Sequence, residues 1–170
     1  MPKRTIPPLV SERVRLRLLQ PPDLPMTLTW RNQDHIRKWF VHSEVLTWEQ
    51  HRRWCAQYFE RDDDFIFIIE EPHELQRPVG QISLYNIDWA QQRAEYGRLM
   101  IGDAAAAGKG LAKAATVLLL DFGFHSLGLM EIYLEVFCDN APAIAIYRAC
   151  GFADISHDQT LQKMSIHASP

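Results

Sequence analysis

The stretch AAAAGKGLAKAA, residues 104–115, runs four alanines into glycine, lysine and glycine, then directly into a helical pattern. Glycine weakens a helix by up to about 1 kcal/mol relative to alanine, so a pair at the helix start asks for a physical reason. A helix start presents about four unpaired N–H groups and a partial positive charge. With no Cβ in the way at Gly108 and Gly110, phosphate oxygens can approach that backbone, and Lys109 adds a cation. A tight strand-to-helix turn uses the same residues, and the short G-x-G signal does not separate the two. The fuller phosphate signatures are absent: there is no G-x-x-x-x-G-K-[ST], and Lys113 stands where a Rossmann fingerprint has its third glycine.

A carboxylate follows in the next strand. In Glu131 to Cys138, Ile132, Leu134, Val136 and Cys138 share one face, while Glu131, Tyr133, Glu135 and Phe137 share the other. Glu135 thus points away from the aliphatic side, framed by two aromatics. It is placed there as a proton acceptor or as a plain solvated strand residue. Metal chemistry is not expected, because the seven histidines are scattered without H-x-x-x-H or a Cys/His cluster. Cys150 has no activating base nearby in sequence and reads as a buried, inert helix-end thiol. A lone His125 in an apolar helix reads as structural. Three cysteines, Cys55, Cys138 and Cys150, leave one unpaired in any disulfide scheme, which fits a reduced, cytoplasmic compartment.

The elements that must hold these residues form one expected domain over residues 1–170. Hydrophobic residues make up 47% of the chain, enough for a core, and the net charge of −3 argues against a generic nucleic-acid binder. No apolar run approaches the roughly 18 residues of a membrane span, and the basic N-terminus lacks the apolar segment of a signal peptide. RVRLRLL (13–19) alternates as a half-buried strand does. Two short helices follow, through Trp30 and around Ile36 to Phe40, then a longer one capped by Thr47. DFIFIIE (64–70), VGQISLYNI (79–87) and AEYGRLMIG (94–102) are consecutive strands. The glycine-led helix runs to about Ser126, with two apolar stripes: Leu111, Ala115, Leu118, Leu119 and Phe122, and Val117, Leu120, Phe124 and Leu127. A strand (130–138), a helix with Asn140 as cap and Pro142 in its first turn, and two closing strands complete the order. The expectation is an α+β fold, a central twisted mixed sheet of about seven strands with helices on both faces.

Taken together, G-K-G-L-A opening a helix and then L-E-V-x-x-x-N-x-x-A-I-A-I-Y-x-x-x-G-F resembles the acetyl-CoA-binding core of the GNAT N-acetyltransferase superfamily. The resemblance spans about Tyr96 to Phe152, with a cofactor core over about 94–152. The family's pyrophosphate loop, Q/R-x-x-G-x-G/A, falls on Ala105, Gly108 and Gly110, and Ala105 departs from it. The resemblance implies acetyl-CoA as cosubstrate, its pyrophosphate held by backbone amides from Gly108 through Lys109, Gly110 and Leu111 to Ala112. It also implies a splayed central strand pair whose gap takes the pantetheine arm along Leu99, Met100 and Ile101, with an N–H near Met100 polarising the thioester. Asn140 is expected to contact the cofactor arm and Tyr147 to protonate the leaving thiolate. Glu135 is expected to be the base, with Glu95 in reserve.

The acceptor is implied to lie against residues of about 20–60. The segment Trp30 to Trp54 resembles the sugar-nucleotide region of the N-acetyltransferase of the pseudaminic-acid pathway, with Arg31, Asn32, Trp39, His42, Ser43 and His51 at matching positions. Packing anchors are the other use for Trp39, Trp48 and Trp54. The glutamate–tyrosine pair also matches the ribosomal-protein alanine N-acetyltransferases. The favoured acceptor is a small amine, foremost a nucleotide-linked amino sugar; protein N-termini, polyamines and aminoglycosides are the alternatives. A polyamine groove calls for clustered carboxylates, and the run Asp62-Asp63-Asp64 reads instead as a solvated turn. A non-catalytic acyl-CoA sensor is a separate class. A homodimer is compatible with any of these.

Overall fold

The computed structural model describes residues 2–170. Its strands are β1 (Leu9–Val10), β2 (Arg15–Leu18), β3 (Phe65–Glu71), β4 (Arg77–Asp88), β5 (Arg93–Ile101), β6 (Glu131–Phe137), β7 (Ala153–His157) and β8 (Leu161–His167). The helices are α1 (Leu24–Arg31), α2 (Asp34–Arg37), α3 (Trp48–Phe59), α4 (Leu111–His125) and α5 (Ala141–Ala149). The strands form one sheet in the order β1-β2-β3-β4-β5-β6-β8-β7. All neighbours are antiparallel except β5 and β6. The sheet therefore has eight strands rather than about seven. The extra one, β1, is two residues long and follows Pro7-Pro8, too short for alternation to reveal it.

Local sequence explains the helix boundaries. The Thr47 hydroxyl accepts the Gln50 N–H at 3.2 Å and the Gln50 side chain accepts the Thr47 N–H at 2.9 Å, a reciprocal cap that starts α3. Asn140 Oδ1 accepts the Ala143 N–H at 3.4 Å, with Pro142 in the first turn of α5. Gly110, at φ +73°, is the residue from which α4 departs, and Gly128, at φ +72°, lies just beyond its end. The short helix α2 ends at Arg37 rather than at Phe40.

Two layers flank the sheet. On one face, α4 and α5 close the main core, where Leu111, Ala115, Leu119 and Phe122 pack with Leu84, Ile132 and Leu134. The second expected stripe of α4 is incomplete, since Val117 is 52% exposed. His125 is likewise solvent-facing, not an interior histidine. On the opposite face, Leu24 of α1 and Cys55 and Tyr58 of α3 pack on Ile66 and Ile68, and Trp30 and Ile36 pack on Met100. Trp48 and Trp54 are exposed, so neither is a core anchor. The free thiols differ: Cys55 is buried, Cys150 half-buried and Cys138 exposed. No helix among the described residues is long and apolar enough to cross a membrane.

Candidate active site

The parallel pair β5 and β6 shares only three rungs, Arg93–Glu131, Ala94–Ile132 and Glu95–Tyr133. Beyond Glu95 the strands part. The cause on the β5 side is a bulge: Ser83 faces Gly97 but Gln81 faces Met100, so β5 carries one more residue than β4 across that interval. Arg98 sits in it at φ +53°, a left-handed conformation that non-glycine residues seldom take. Ser83 Oγ donates to the Gly97 carbonyl at 3.0 Å and Gln81 Nε2 to the Arg98 carbonyl at 3.3 Å, which holds the bulge on the β4 side. On the β6 side, the backbone of Tyr96 to Ile101 has no strand partner.

The opening is continuous with a cavity of about 630 Å³. Leu134, Val136, Asn140 and Tyr147 line it from the α4–α5 side, and Arg31, Trp39, His42, His51, Trp54, Glu95 and Glu135 from the α1–α3 side. The cavity thus passes through the sheet at the splay. Leu99 and Met100 form the β5 wall.

Tyr147 is buried, its ring edge-on to Tyr96 at 5.5 Å and to Phe152 at 6.0 Å. Burial pushes its hydroxyl up to about 12, partly offset by the neighbouring Tyr96 hydroxyl, so the group is a proton donor throughout the physiological range. Glu135 is exposed on β6, opposite Lys163 of β8. Glu95 is half-buried and held: Tyr85 donates to its Oε2 at 2.8 Å and Asn86 to its Oε1 at 3.1 Å. Burial, with Glu95 next in effect, raises the Tyr85 phenol well above its ordinary value, which keeps it the donor in that bond.

The glycine loop lies outside the cavity. The alanines before it form a 3-10 turn, Ala104–Ala106, fastened by the Asp103 carboxylate accepting the Ala105 N–H at 3.0 Å. Gly108 and Gly110 both have φ +73°. A Cβ at Gly108 would meet nothing within 4 Å, so the loop is open there. At Gly110 a Cβ would lie 3.2 Å from Arg13 Nη1. Arg13 had no mark in the sequence; its guanidinium donates to the Lys109 carbonyl. Lys109 is not a free cation, since Nζ pairs with Glu74 Oε2 at 2.8 Å. Leu111 is buried in the core, and Ala112 lies in the first turn of α4. These residues fit a pyrophosphate through backbone N–H groups more than through side chains.

On the acceptor side the expected residues separate. Arg31 is 9% exposed, lies over the Phe40 ring at 4.0 Å and donates to the His42 carbonyl through Nη2. Its Nη1 is buried without a hydrogen-bond partner among the described residues. His51 also faces the cavity, its Nε2 3.0 Å from Thr27 Oγ1, and burial lowers its pKa so that the ring is neutral. Trp39 packs against Phe137 of β6 at 6.4 Å. Asn32 and Ser43 do not reach the cavity. Both ends of the Asn32 amide bond the Leu46 backbone at 2.9 Å, clasping the loop before α3, and the Ser43 carbonyl accepts Arg37 Nη1 at 2.9 Å. Ile101 lies at the end of β5, packed against the main core rather than the cavity.

The aspartate run is not a solvated turn. Asp62 binds Arg4, Asp63 binds Arg61, and the buried Asp64 binds Arg98.

Comparison with known proteins gives the same picture. The spermidine N(1)-acetyltransferase of Vibrio cholerae is 23% identical over 87% of this chain and 83% of its own length. That of Escherichia coli is 29% identical over 84% of this chain and 74% of its own. A tubulin N-acetyltransferase of Mus musculus is 23% identical over 93% and 69%. Among solved structures, the Vibrio cholerae spermidine N-acetyltransferase in complex with CoA and spermine superposes with a TM-score of 0.84 over 92% of this chain and 96% of that one, at 23% identity. The family described as the acetyltransferase (GNAT) domain matches residues 13–153. With that match over a sheet that splays between β5 and β6, the chain belongs to the GNAT family of N-acetyltransferases, enzymes that use acetyl-CoA as the acyl donor.

Proposed function

We propose that the acceptor is a small primary amine of the polyamine class. The observation that carries this is the pair of carboxylates Glu95 and Glu135 in one cavity, whose lining also includes Trp39, Phe40, Trp54, Tyr85, Arg31 and Arg98. Two carboxylates suit a chain of ammonium groups through charge, while the Phe40, Trp54 and Tyr85 rings already carry the guanidinium groups of Arg31 and Arg98. The acceptor class in the names of the Vibrio cholerae and Escherichia coli relatives supports the same reading.

Acetyl-CoA supplies the acetyl thioester. In the proposed reaction the amine nitrogen forms the new bond to the acetyl carbon and the carbon–sulfur bond breaks. Glu135, or Glu95 in its place, takes the amine proton. The unpaired backbone of Leu99 and Met100 donates to the developing oxyanion. Tyr147 gives its proton to the departing sulfur. Asn140 keeps its Nδ2 free for the cofactor arm while Oδ1 caps α5.

A second reading, an amine that also carries an anionic group, such as a nucleotide-linked amino sugar, is favoured by Arg31. A buried guanidinium with an idle N–H on the cavity wall is a ready anion contact. CoA release over spermidine, spermine, amino-sugar nucleotides, aminoglycosides and N-terminal peptides tests both. Arg31→Met separates them: it leaves or lowers KM for a polyamine but raises KM for an anionic amine by roughly tenfold or more. Turnover confined to peptides would sink both.

A further inference from the structure

Arg98 is in an odd place for an arginine. It stands at φ +53° in the β5 bulge, where glycine would sit without strain. Its side chain lies on the cavity wall with its charge paired. Nη1 lies 2.7 Å from Asp64 Oδ1 and Nη2 3.0 Å from Oδ2, a two-pronged pair with an Asp64 side chain only 4% exposed. The guanidinium is also flanked by the rings of Tyr85 at 4.0 Å and Trp54 at 4.9 Å. Asp64 immediately precedes β3, so the pair ties the bulge in β5 to the start of β3, two strands away across β4.

A left-handed arginine persists only where its surroundings over-determine it. Here the β4 side chains of Ser83 and Gln81 hold the carbonyls of Gly97 and Arg98, and Asp64 holds the Arg98 side chain. We infer that Asp64 and Arg98 are positioning residues for acetyl transfer: their ion pair keeps the bulge in the conformation that presents the Leu99–Met100 backbone to the thioester carbonyl. The inference rests on that backbone being the thioester contact. Glycine was available to sequence at this position without a clamp. The clamp offsets the cost that an arginine meets in this left-handed conformation and glycine does not.

The test removes the clamp while keeping charge balanced, so that no buried ion is left alone. Asp64→Asn combined with Arg98→Ala leaves a residue that is strained at this position and has no tether, so the bulge relaxes; kcat falls roughly tenfold to a hundredfold with KM for acetyl-CoA changed by about twofold or less. Asp64→Asn combined with Arg98→Gly relieves the strain instead, and recovers most of the lost kcat. A wild-type kcat in the alanine pair overturns the inference. So does a glycine pair as slow as the alanine pair, which would make the Arg98 guanidinium act on the bound molecules directly rather than by holding the bulge. Amide NMR of the wild type with CoA checks the underlying contact separately: shifts at Leu99 and Met100 are expected. Their absence removes the contact, and the inference with it, whatever the variants do.

Discussion

Glu95 on β5 lies opposite Tyr133 on β6 in the last rung those strands share, and Glu135 stands just past that rung on the same face of the sheet. Both carboxylates therefore flank the point where the sheet opens. In the proposed reaction the parting strands supply the backbone for the thioester; Tyr147 lines the same opening from α5 on the other face.

Glu135 and Glu95 differ in how free they are. Both Glu95 oxygens already accept hydrogen bonds, from Tyr85 and Asn86, whereas none is made to Glu135 among the described residues. Glu135→Gln should lower kcat by about a hundredfold, with acetyl-CoA affinity unchanged. Glu95→Gln should cost less. Steady-state kinetics on both variants decide the assignment, and the opposite order of losses would move the base to Glu95.

Tyr147→Phe should reduce kcat more than KM, because the proton is needed only as sulfur departs. With the hydroxyl pushed up to about 12, the tyrosine stays protonated as pH rises through the neutral and mildly alkaline range. A kcat profile should then show no alkaline fall that Tyr147→Phe abolishes below about pH 10. Such a fall would mean a much less buried phenol.

Gly108→Val should weaken CoA binding. The new side chain projects into open space on the approach side of the loop and must adopt φ +73°. About 1 kcal/mol or more of strain is expected from that conformation. Isothermal titration with CoA reads the binding loss, and thermal melting reads the strain. Unchanged CoA affinity would take the phosphate away from this loop.

Lys3 offers a stability test away from the chemistry. Its ammonium lies 3.9 Å over the Tyr58 ring and donates to the Asp64 carbonyl, and burial lowers its pKa from 10.5 to about 8 despite Asp64, Asp62 and Asp63. The unfolded chain thus holds a proton that the folded chain has lost between those two values, and Lys3 contributes increasing stability as pH rises through that window. Denaturant melts of wild type and Lys3→Met at neutral pH and near pH 10 should diverge in favour of wild type as pH rises. A constant difference would place the ammonium in solvent.

Much of the site was legible where short-range chemistry wrote it. Gly108-Lys109-Gly110, the Asn140 cap with Pro142, and the period-two face of Glu135 are each decided within a few residues. The long-range partners were not. Asp64 and Arg98 meet across an intervening strand, and no arginine advertises a left-handed backbone. Asn32 is expected in the pocket from the resemblance of Trp30 to Trp54 to a sugar-nucleotide region, yet its amide is spent on Leu46. Arg13 reaches the loop only through the tertiary fold. The splay itself came from resemblance; periodicity says nothing about how far two strands stay paired.

The pairing of Lys109 with Glu74 gives the loop a threshold. Glu74 stands on the β3–β4 turn, which is fixed by the Glu71 carboxylate accepting the N–H groups of His73, Glu74 and Leu75 at 2.8, 2.9 and 2.6 Å. The lysine therefore has a tethered anion at high local concentration, and any incoming anion must exchange with it rather than fill an empty place. A pyrophosphate, with several charges and a row of helix N–H groups to engage at once, does not need Lys109 to be vacant. In the proposed function the row of backbone N–H groups, rather than Lys109, is what answers the polyanion.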